Sequence, residues 1–352
     1  MKKNNSAKEK ILLAMSGGID SSYCVSLLQK QGYEVLGVYL NNLPANQEKN
    51  NWSNVKKIAD YLKVKILKVK ANQRFNKNVI KPFLKDYQNG LTPNPCILCN
   101  RVFKFKELFD LADKLGIEKV ATGHYVKLKK DGQLVYLSPA KDSKKDQSYF
   151  LYQLPQAFLK RLVFPLGNLE KPQVKLAAAK VLTVELLPSG ESQEICFVPE
   201  DNLSKFLQQN LSKRLGGQII DQKTGKALGQ YPAEQYFTIG QRKGLGLAGG
   251  PWFVSKIDEK NSKVYVLNDK DKKDLLKSEI HFKKIIWSGK IPKLPLKIKY
   301  KLRSAQNWTN GVLSKKGQVF VLRLAKDQLA PSPGQSAVFL SGGKVIGGQV
   351  VG

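Results

Sequence analysis

The first 125 residues alternate between short apolar runs and segments whose apolar residues recur at helical spacing. Val55, Ile58, Ala59 and Leu62, for example, stand at i, i+3, i+4 and i+7, the spacing of an amphipathic helix. The runs that predict strands are residues 10–15, 33–40, 64–69 and 119–122, and helices are predicted around 21–30, 55–62, 75–84 and 108–115. Because strands that alternate with helices form parallel sheets with helices on both faces, this part is predicted as a doubly wound α/β domain.

The pattern changes after about residue 126. Residues 130–133 stand between two short apolar runs, which predicts a β-hairpin, and helical segments resume up to about residue 215. Farther on, apolar and polar positions alternate in 296–302 and 319–324, with a turn signal at Pro333-Gly334. This part is therefore predicted as an antiparallel barrel or sandwich. Because 352 residues are too many for one compact core, two or three domains are expected.

The chain is strongly basic, with 59 Lys and Arg residues against 28 Asp and Glu residues, a formal net charge of +31. Such a surface favours an anionic partner, which relieves the repulsion, although a lysine-rich proteome would account for part of the excess. Nucleic acid is favoured over membrane because no apolar stretch approaches the roughly 20 residues that a spanning helix needs. The apolar run Ile11–Met15 is too short for a signal peptide, so a cytoplasmic protein is expected.

The strongest local signal is the segment Ser16-Gly17-Gly18-Ile19-Asp20-Ser21-Ser22, between the first predicted strand and its helix. Glycines allow a tight turn with exposed N–H groups, the serines add hydroxyl donors, and the helix N-terminus attracts anions. A phosphate site is therefore predicted, distinct from a Walker A loop; the alternative is a serine-capped helix after a glycine turn.

Two other glycine motifs are set aside. Residues 244–249 match a dinucleotide fingerprint but do not begin a βαβ unit, and Ser341-Gly342-Gly343 is predicted as a hairpin turn.

The four cysteines are too few for a disulfide scaffold in a chain of this length. Cys24 has helical apolar neighbours and is predicted to pack in the core. Cys96 and Cys99 stand just before a predicted helix, where the helix dipole and nearby Arg101 and Lys104 would favour the thiolate. With Cys196 they leave three interpretations open: a zinc site, a thioredoxin-like pair, or sulfur transfer. Sulfur transfer is the most economical of the three, since a zinc site needs two ligands beyond the Cys-x-x-Cys pair and the thioredoxin fold carries no phosphate loop.

The loop resembles that of the PP-loop ATP pyrophosphatases, and several motifs in order resemble the tRNA-specific 2-thiouridylases. These motifs are AMSGGIDSS, TPNPCILCNRVFKF, ATGHY, KDQSYFLYQL, FPLG, SQEICFV, TIGQRKGLG and, more loosely, PGQSAVF. The resemblance spans nearly the whole chain. It implies a PP-loop catalytic domain over residues 1–212, a small central domain over 213–280 and a C-terminal antiparallel β-barrel over 281–352 that contacts RNA.

The resemblance also implies roles for individual residues. Those expected to hold ATP are Ala14, Met15, Ser16, Gly17, Gly18, Ile19, Asp20, Ser21, Leu40 and Gly123. Cys99 matches the nucleophile, and Cys196 matches the cysteine that carries the persulfide. Those expected to contact tRNA are Asn94, Pro95, Cys96, His124, Lys145, Asp146, Gln147, Arg303 and Gln335. Two positions depart from the family pattern: Cys96 replaces a common Asp, which puts a carboxylate role there in doubt, and Ser304 replaces a common aromatic residue.

The implied activity is ATP-dependent replacement of the C2 oxygen of the anticodon wobble uridine by sulfur in tRNAs for Lys, Glu and Gln. It implies ATP and Mg²⁺ as cofactors, no resident metal, and a sulfur-donor protein such as a cysteine desulfurase or relay protein. The sequence leaves the oligomeric state open, with a monomer as the default expectation. Two rival activities remain open. One is a PP-loop ligase that joins an amine, such as a lysidine or argininosuccinate synthase, and the other is a nucleotide-sensing RNA-binding protein without catalysis.

Overall fold

A computed structural model describes most of the chain, in two compact units. The described residues are 8–42, 45–187, 195–199, 202–211, 216–232, 237–258 and 261–351. The first unit comprises Met1–Val79, Cys96–Phe197 and Gly342–Ile346, and the second comprises Ile80–Pro95, Val198–Ser341 and Gly347–Gly352.

Helices and strands alternate in the first half of the chain, and strands dominate the second half. The helices are α1 (Ile19–Lys30), α2 (Ala45–Tyr61), α3 (Asn72–Phe75), α4 (Lys81–Gln88), α5 (Pro95–Cys99), α6 (Phe105–Lys114), α7 (Ser148–Leu151), α8 (Gln156–Leu159), α9 (Lys171–Ala179) and α10 (Leu203–Asn210). The strands are β1 (Lys10–Ala14), β2 (Glu34–Asn41), β3 (Ile66–Lys70), β4 (Lys119–Ala121), β5 (Lys127–Asp131), β6 (Leu134–Ser138), β7 (Leu162–Val163), β8 (Gly217–Asp221), β9 (Ala227–Tyr231), β10 (Trp252–Asp258), β11 (Lys263–Asn268), β12 (Leu276–Phe282), β13 (Ile286–Trp287), β14 (Leu296–Lys301), β15 (Thr309–Lys316), β16 (Val319–Leu329), β17 (Ser336–Ser341) and β18 (Lys344–Val350).

The first unit is built on a parallel sheet with the strand order β3-β2-β1-β4-β7. The central strand β1 pairs with β2 through Leu13 and Gly37 and with β4 through Ile11 and Lys119. Its residues Ile11, Leu12 and Leu13 are fully buried, as expected for a parallel strand that is covered on both faces. Chain order reverses between β1 and β4, and ligands of such sheets bind beyond the carboxyl ends of the strands at this switch point. The predicted doubly wound α/β fold is confirmed.

Helices pack on this sheet as their apolar spacing predicts. Val55, Ile58 and Ala59 of α2 are buried in the same core as Cys24 of α1, which confirms the structural interpretation of that thiol. The helix predicted around 108–115 is α6, which ends one residue earlier, and Leu115 at the end of the predicted range is 42% exposed. It is the residue that caps the helix, so the helical periodicity no longer directs its side chain to the core.

The second unit contains two sheets. A four-stranded sheet has the order β10-β11-β8-β9, and its apolar residues form a separate core that includes Val254, Val264 and Val266. A seven-stranded sheet has the order β12-β16-β15-β14-β17-β18-β13, with antiparallel pairs such as β14 with β15. The predicted antiparallel C-terminal β-structure is confirmed.

The turn predictions also agree with the structure. β5 and β6 form the predicted hairpin, with Asp131 opposite Leu134 and Gly132 at a positive φ. Gly342 and Gly343 form a turn between β17 and β18, and no helix follows the glycines of 244–249 within residues 237–258, so neither motif begins a dinucleotide site. In the described part of the chain, no helix combines the length and apolarity needed to cross a bilayer.

Candidate active site

The Ser-Gly-Gly loop lies at the carboxyl end of β1, at the switch point of the parallel sheet. Gly17 has a φ of +83°, and a Cβ placed there would lie 2.9 Å from Cγ2 of Val55, so both backbone conformation and space require glycine. The Ser16 N–H donates to Oγ of Ser21 at 3.2 Å, and the Gly18 N–H donates to Oγ of Ser16 at 3.4 Å. These bonds draw the loop into a compact turn.

The first turn of α1 is left without a side-chain cap. Its N-cap is Gly18 in extended conformation, with no side-chain hydrogen bond to the helix N–H groups. The hydroxyls of Ser21 and Ser22 both donate to the Gly18 carbonyl, at 3.0 Å each, and so do not cap the helix either. The structure thus does not support the serine-capped alternative. It leaves the amino end of a 12-residue helix able to bind an anion such as phosphate.

Two residues predicted for the nucleotide come to the same edge of the sheet. A Cβ at Gly123, just beyond β4, would lie 3.2 Å from the backbone nitrogen of Ser21 and 3.3 Å from the carbonyl carbon of Asp20. Glycine therefore lets this backbone approach the loop. Leu40 lies near the carboxyl end of β2, two residues after Val38, whose carbonyl accepts the N–H of Met15 at 2.9 Å.

The Asp20 carboxylate, predicted to hold ATP, is held by two protein donors. Nζ of Lys171, the first residue of α9, lies 2.7 Å from Oδ1 and 2.6 Å from Oδ2 of Asp20, and the Tyr125 hydroxyl donates to Oδ1 at 2.7 Å. Burial and the bond to Asp20 raise the pKa of Tyr125, so the phenol remains a neutral donor. Asp20 therefore shapes the loop through its partners, and its negative charge is offset by Lys171.

The two cysteines of the Cys-x-x-Cys motif lie within α5, rather than just before a helix as predicted. A π-helical turn, Asn100–Lys104, joins α5 to α6. Such a turn holds about one residue more than an α-helical turn and is frequent at functional sites. It brings the Lys104 backbone N–H to the thiol of Cys99, to which it donates a hydrogen bond. Buried Asn100 fixes the turn by donating from Nδ2 to the Phe150 carbonyl at 3.1 Å.

A stack of aromatic rings joins the Cys196 segment to this turn. Phe197 packs edge-on against Phe75 with 5.7 Å between ring centroids, and Phe75 packs against Phe103 at 5.0 Å. All three rings are buried. Because Cys196 precedes Phe197 and Phe103 lies inside the π-helical turn, the stack holds Cys196 near Cys99.

Cys96, Cys99 and Cys196 form one electrostatic cluster with Lys104. Burial raises the pKa of Cys99 to about 12, the Lys104 ammonium acts to lower it, and the charges of Cys196 and Cys96 raise it further. Burial likewise raises the pKa of Cys96 and of Cys196 against the opposing effect of Lys104. The predicted thiolate at Cys99 is thus wrong for the free protein, because desolvation outweighs the nearby cation.

The two predicted catalytic cysteines differ in access. Cys99 is buried, whereas Cys196 is exposed and its sulfur accepts a hydrogen bond from the side chain of Asn42. Cys196 is thus exposed as a residue, while the protein atoms around its sulfur desolvate the thiolate and so raise its pKa. Ser192, Gln193 and Glu194 of the motif that contains Cys196 lie outside the described residues.

His124 is held as a neutral ring. Thr122 Oγ1 lies 2.6 Å from its Nδ1, and the ring stacks on Phe105 at 5.8 Å. Burial and the charge of Lys104 lower its pKa well below the usual value. His124 would therefore contact RNA by stacking or hydrogen bonding rather than as a cation.

The residues predicted for tRNA fall in both units. Lys145, Asp146 and Gln147 belong to the first unit, where Asp146 is buried and accepts from the Ser148 hydroxyl at 2.9 Å. The members in the second unit are Asn94, Pro95, Arg303 and Gln335. There Gln335 donates from Nε2 to the Thr92 carbonyl at 2.8 Å, and Arg303 is exposed.

Four residues of this site were missed from the sequence: Asn42, Lys104 (noted only as a charge near Cys99), Tyr125 and Lys171. Asn42 and Tyr125 directly follow the ends of strands or predicted site residues, which is a usable signal. Lys171 is one of many lysines, and only its contact with Asp20 distinguishes it.

Three family models match consecutive parts of the chain. Residues 9–200 match the tRNA methyl transferase HUP domain, 204–268 the tRNA methyl transferase PRC-barrel domain and 277–351 the aminomethyltransferase beta-barrel domain. A tRNA-specific 2-thiouridylase MnmA of a Nitratiruptor species is 38% identical over 97% of this chain and 98% of its own. The chain belongs to this family. The relative of the same name in Streptococcus sanguinis is 34% identical over 99% of this chain and 96% of its own.

Solved structures show more distant similarity. The U34-tRNA thiolase NcsA from Methanococcus maripaludis, with its 4Fe-4S cluster, is 17% identical over 55% of this chain and 62% of its own, with a TM-score of 0.37. A 4-thiouridine synthetase in complex with RNA and ATP is 17% identical over 57% of this chain and 50% of its own, also with a TM-score of 0.37.

Proposed function

We propose that this protein is an ATP-dependent tRNA-uridine 2-sulfurtransferase that thiolates C2 of the anticodon wobble uridine. The observation that carries the proposal is that an exposed thiol, Cys196, and a buried thiol, Cys99, share one cationic neighbour, Lys104. They lie in the same unit as the Ser-Gly-Gly loop and helix α1, whose first turn has no side-chain cap and can bind a phosphate. Membership of the 2-thiouridylase family supports the same assignment.

The first half of the proposed reaction activates the base. The wobble uridine turns out of the single-stranded anticodon, and its C2 oxygen attacks the α-phosphorus of ATP and displaces pyrophosphate. The loop N–H groups and the amino end of α1 would stabilise negative charge on the phosphates. Mg²⁺ bound with the nucleotide would offset further negative charge on the phosphates.

The second half transfers sulfur. A partner protein loads Cys196 as a persulfide, whose terminal sulfur attacks C2; the C2–O bond breaks and AMP leaves with the oxygen. The Cys99 thiolate then attacks Sγ of Cys196, and thiouridine leaves as the S–S bond breaks. The resulting Cys99–Cys196 disulfide is reduced by a dithiol before the next turnover. In the other route, the Cys99 thiolate attacks Sγ of the Cys196 persulfide before transfer, which forms the Cys99–Cys196 disulfide and releases hydrosulfide. The hydrosulfide then attacks C2, and AMP leaves with the oxygen.

The difference in access fits this division of roles. An exposed Cys196 can meet a sulfur donor, such as a cysteine desulfurase or a relay protein, while a buried Cys99 is protected from unrelated oxidants. Lys104 would stabilise each thiolate as it forms. Cys96 belongs to the same cluster, where burial raises its pKa and the charge of Lys104 acts to lower it.

The proposed partners follow from the family and the charge. The substrates would be tRNAs for Lys, Glu and Gln, which a net charge of +31 would attract. We propose a monomer that acts in the cytoplasm.

The test is mass spectrometry of nucleosides from unmodified tRNA-Lys after incubation with the protein, MgATP and a persulfide source. We expect 2-thiouridine that requires ATP and is lost in Cys196→Ser. Cys24→Ser is the matched control, because that buried thiol lies outside the cluster. AMP and pyrophosphate without thiouridine would contradict the sulfur half. Neither AMP nor thiouridine would favour nucleotide-dependent RNA binding, and full activity in Cys99→Ala would favour an amine ligase.

A further inference from the structure

Two hydrogen-bonded connections run from the nucleotide loop to the segment 142–147. Both begin at Asp20, whose side chain is 29% exposed and whose carboxylate is held by Lys171, 15% exposed, and by the Tyr125 hydroxyl. The loop carboxylate is therefore not free to move alone. A displacement of Asp20 acts on both partners.

The first connection passes through Lys171. Its backbone N–H donates to Oδ2 of Asp142 at 2.9 Å, and Oδ1 of Asp142 accepts the N–H groups of Lys144 at 3.0 Å and Lys145 at 3.2 Å. Although burial acts to raise the pKa of Asp142, these backbone donors lower it, so the carboxylate is anionic and holds the turn firmly.

The second connection passes through Tyr125. Its backbone N–H donates to Oε1 of Gln147 at 2.9 Å, and its carbonyl accepts the backbone N–H of Gln147 at 2.9 Å. The same residue thus grips Gln147 by its backbone and Asp20 by its hydroxyl. The ring is buried, so backbone and hydroxyl move together.

Nucleotide at the loop and RNA at residues 142–147 would each change the hydrogen bonds and ion pairs of these connections. Nucleotide phosphates at the loop would compete with Asp20 for the Lys171 ammonium and would repel the Asp20 carboxylate. RNA phosphates at the opposite end would attract the side chain of Lys145, whose backbone is held by Asp142. Each ligand therefore changes contacts that the other end shares, which is the condition for coupling between two sites.

We propose that Tyr125 and Lys171 are positioning residues that couple nucleotide binding at the loop to RNA binding at residues 142–147. Each ligand then raises the affinity of the other, so that ATP is used when tRNA is bound. This inference rests on the proposed function, in which residues 145–147 contact tRNA. No role in substrate contact is assigned to Tyr125.

The test is a thermodynamic cycle on the full-length protein. The affinity for an ATP analogue with a non-cleavable α–β bridge is measured by calorimetry with and without unmodified tRNA-Lys, and the affinity for tRNA with and without the analogue. For the wild type we expect a coupling factor of at least about 5, equal in both directions. In Tyr125→Phe, which removes only the hydroxyl, the factor should fall to about 1, whatever the change in the affinity for each ligand alone.

Two further variants sharpen the result. Asp142→Asn keeps the shape but removes the charge of the first connection, and it should also lower the coupling factor. Tyr33→Phe is the matched control, because its hydroxyl has no hydrogen-bond partner in the described part of the chain and it lies outside the network. It should couple as the wild type does.

The outcomes separate this inference from the proposed function. Full coupling in both Tyr125→Phe and Asp142→Asn would overturn it, as would equal loss in Tyr33→Phe. A wild type that thiolates tRNA with a coupling factor of 1 would refute the coupling alone and leave the proposed function standing. A wild type that binds nucleotide but neither binds nor thiolates tRNA would refute both.

Discussion

Gly123→Ala tests directly whether the edge beyond β4 supports the nucleotide loop. The new Cβ would lie 3.2 Å from the Ser21 nitrogen, 3.3 Å from the Asp20 carbonyl carbon and 3.4 Å from the Ser21 Cα. These are backbone atoms of the first turn of α1, so the clash cannot be relieved by turning a side chain. The turn has to shift by a few tenths of an ångström.

The magnitude follows from the cost of overpacking. An added methyl group that forces a backbone shift costs about 1–3 kcal/mol. If this strain destabilises only the nucleotide-bound protein, the affinity for nucleotide drops by about 5-fold to 150-fold, since 1.4 kcal/mol corresponds to a tenfold change in the dissociation constant. If it falls on the folded state as a whole, the melting temperature drops instead. The assay is calorimetry with the non-cleavable ATP analogue, together with thermal unfolding.

The matched control is Gly229→Ala in β9. Its added Cβ meets only Cδ2 of the flexible Leu247 side chain, at 3.2 Å. We expect nucleotide affinity unchanged in the control and weakened in Gly123→Ala. Wild-type affinity and wild-type melting temperature in Gly123→Ala would refute the reasoning, because the methyl group would then meet no resistance from the loop.

Three further predictions concern the thiols and the charge. Because burial raises the pKa of Cys99 to about 12, this thiol stays protonated at neutral pH. The rate of single-turnover sulfur transfer should therefore rise about tenfold per pH unit between about pH 7 and 9. A rate that does not change with pH would contradict a rate-limiting Cys99 thiolate. Lys104→Met removes the cation that lowers the pKa of Cys196, so alkylation of Cys196 at fixed pH should slow. Lys104→Arg keeps the charge and should be alkylated at nearly the wild-type rate. An unchanged rate in Lys104→Met would show that Lys104 does not lower the pKa of Cys196. A log–log plot of tRNA affinity against salt should slope steeply downward, and a flat plot would argue against phosphate contacts.

Much of the architecture was predictable because it depends on local patterns. The buried run at 10–15 and the helical spacing of Val55, Ile58 and Ala59 each report which side of an element meets the core. Turn residues such as Gly132 report backbone conformation directly. Leu115 shows the limit, because the end of a helix depends on packing that the pattern does not contain.

The candidate site was predictable in part. The Ser-Gly-Gly loop carries its own geometry, so its position after β1 followed from the motif. The protonation of Cys99 did not, because nearby charges are visible in the sequence but the depth of burial is not.

The sequence by itself determined the order of strands and helices, the loop that fits a phosphate, and the cysteines and family motifs that point to sulfur chemistry. These follow from residue types at short spacing. Only the tertiary structure decided which distant residues meet: Cys196 joins Cys99 through the rings of Phe75 and Phe103, and Lys171 reaches Asp20 across 151 positions. The physical reason is that burial and electrostatic contact depend on distance in space, and the folding of the parallel sheet sets those distances.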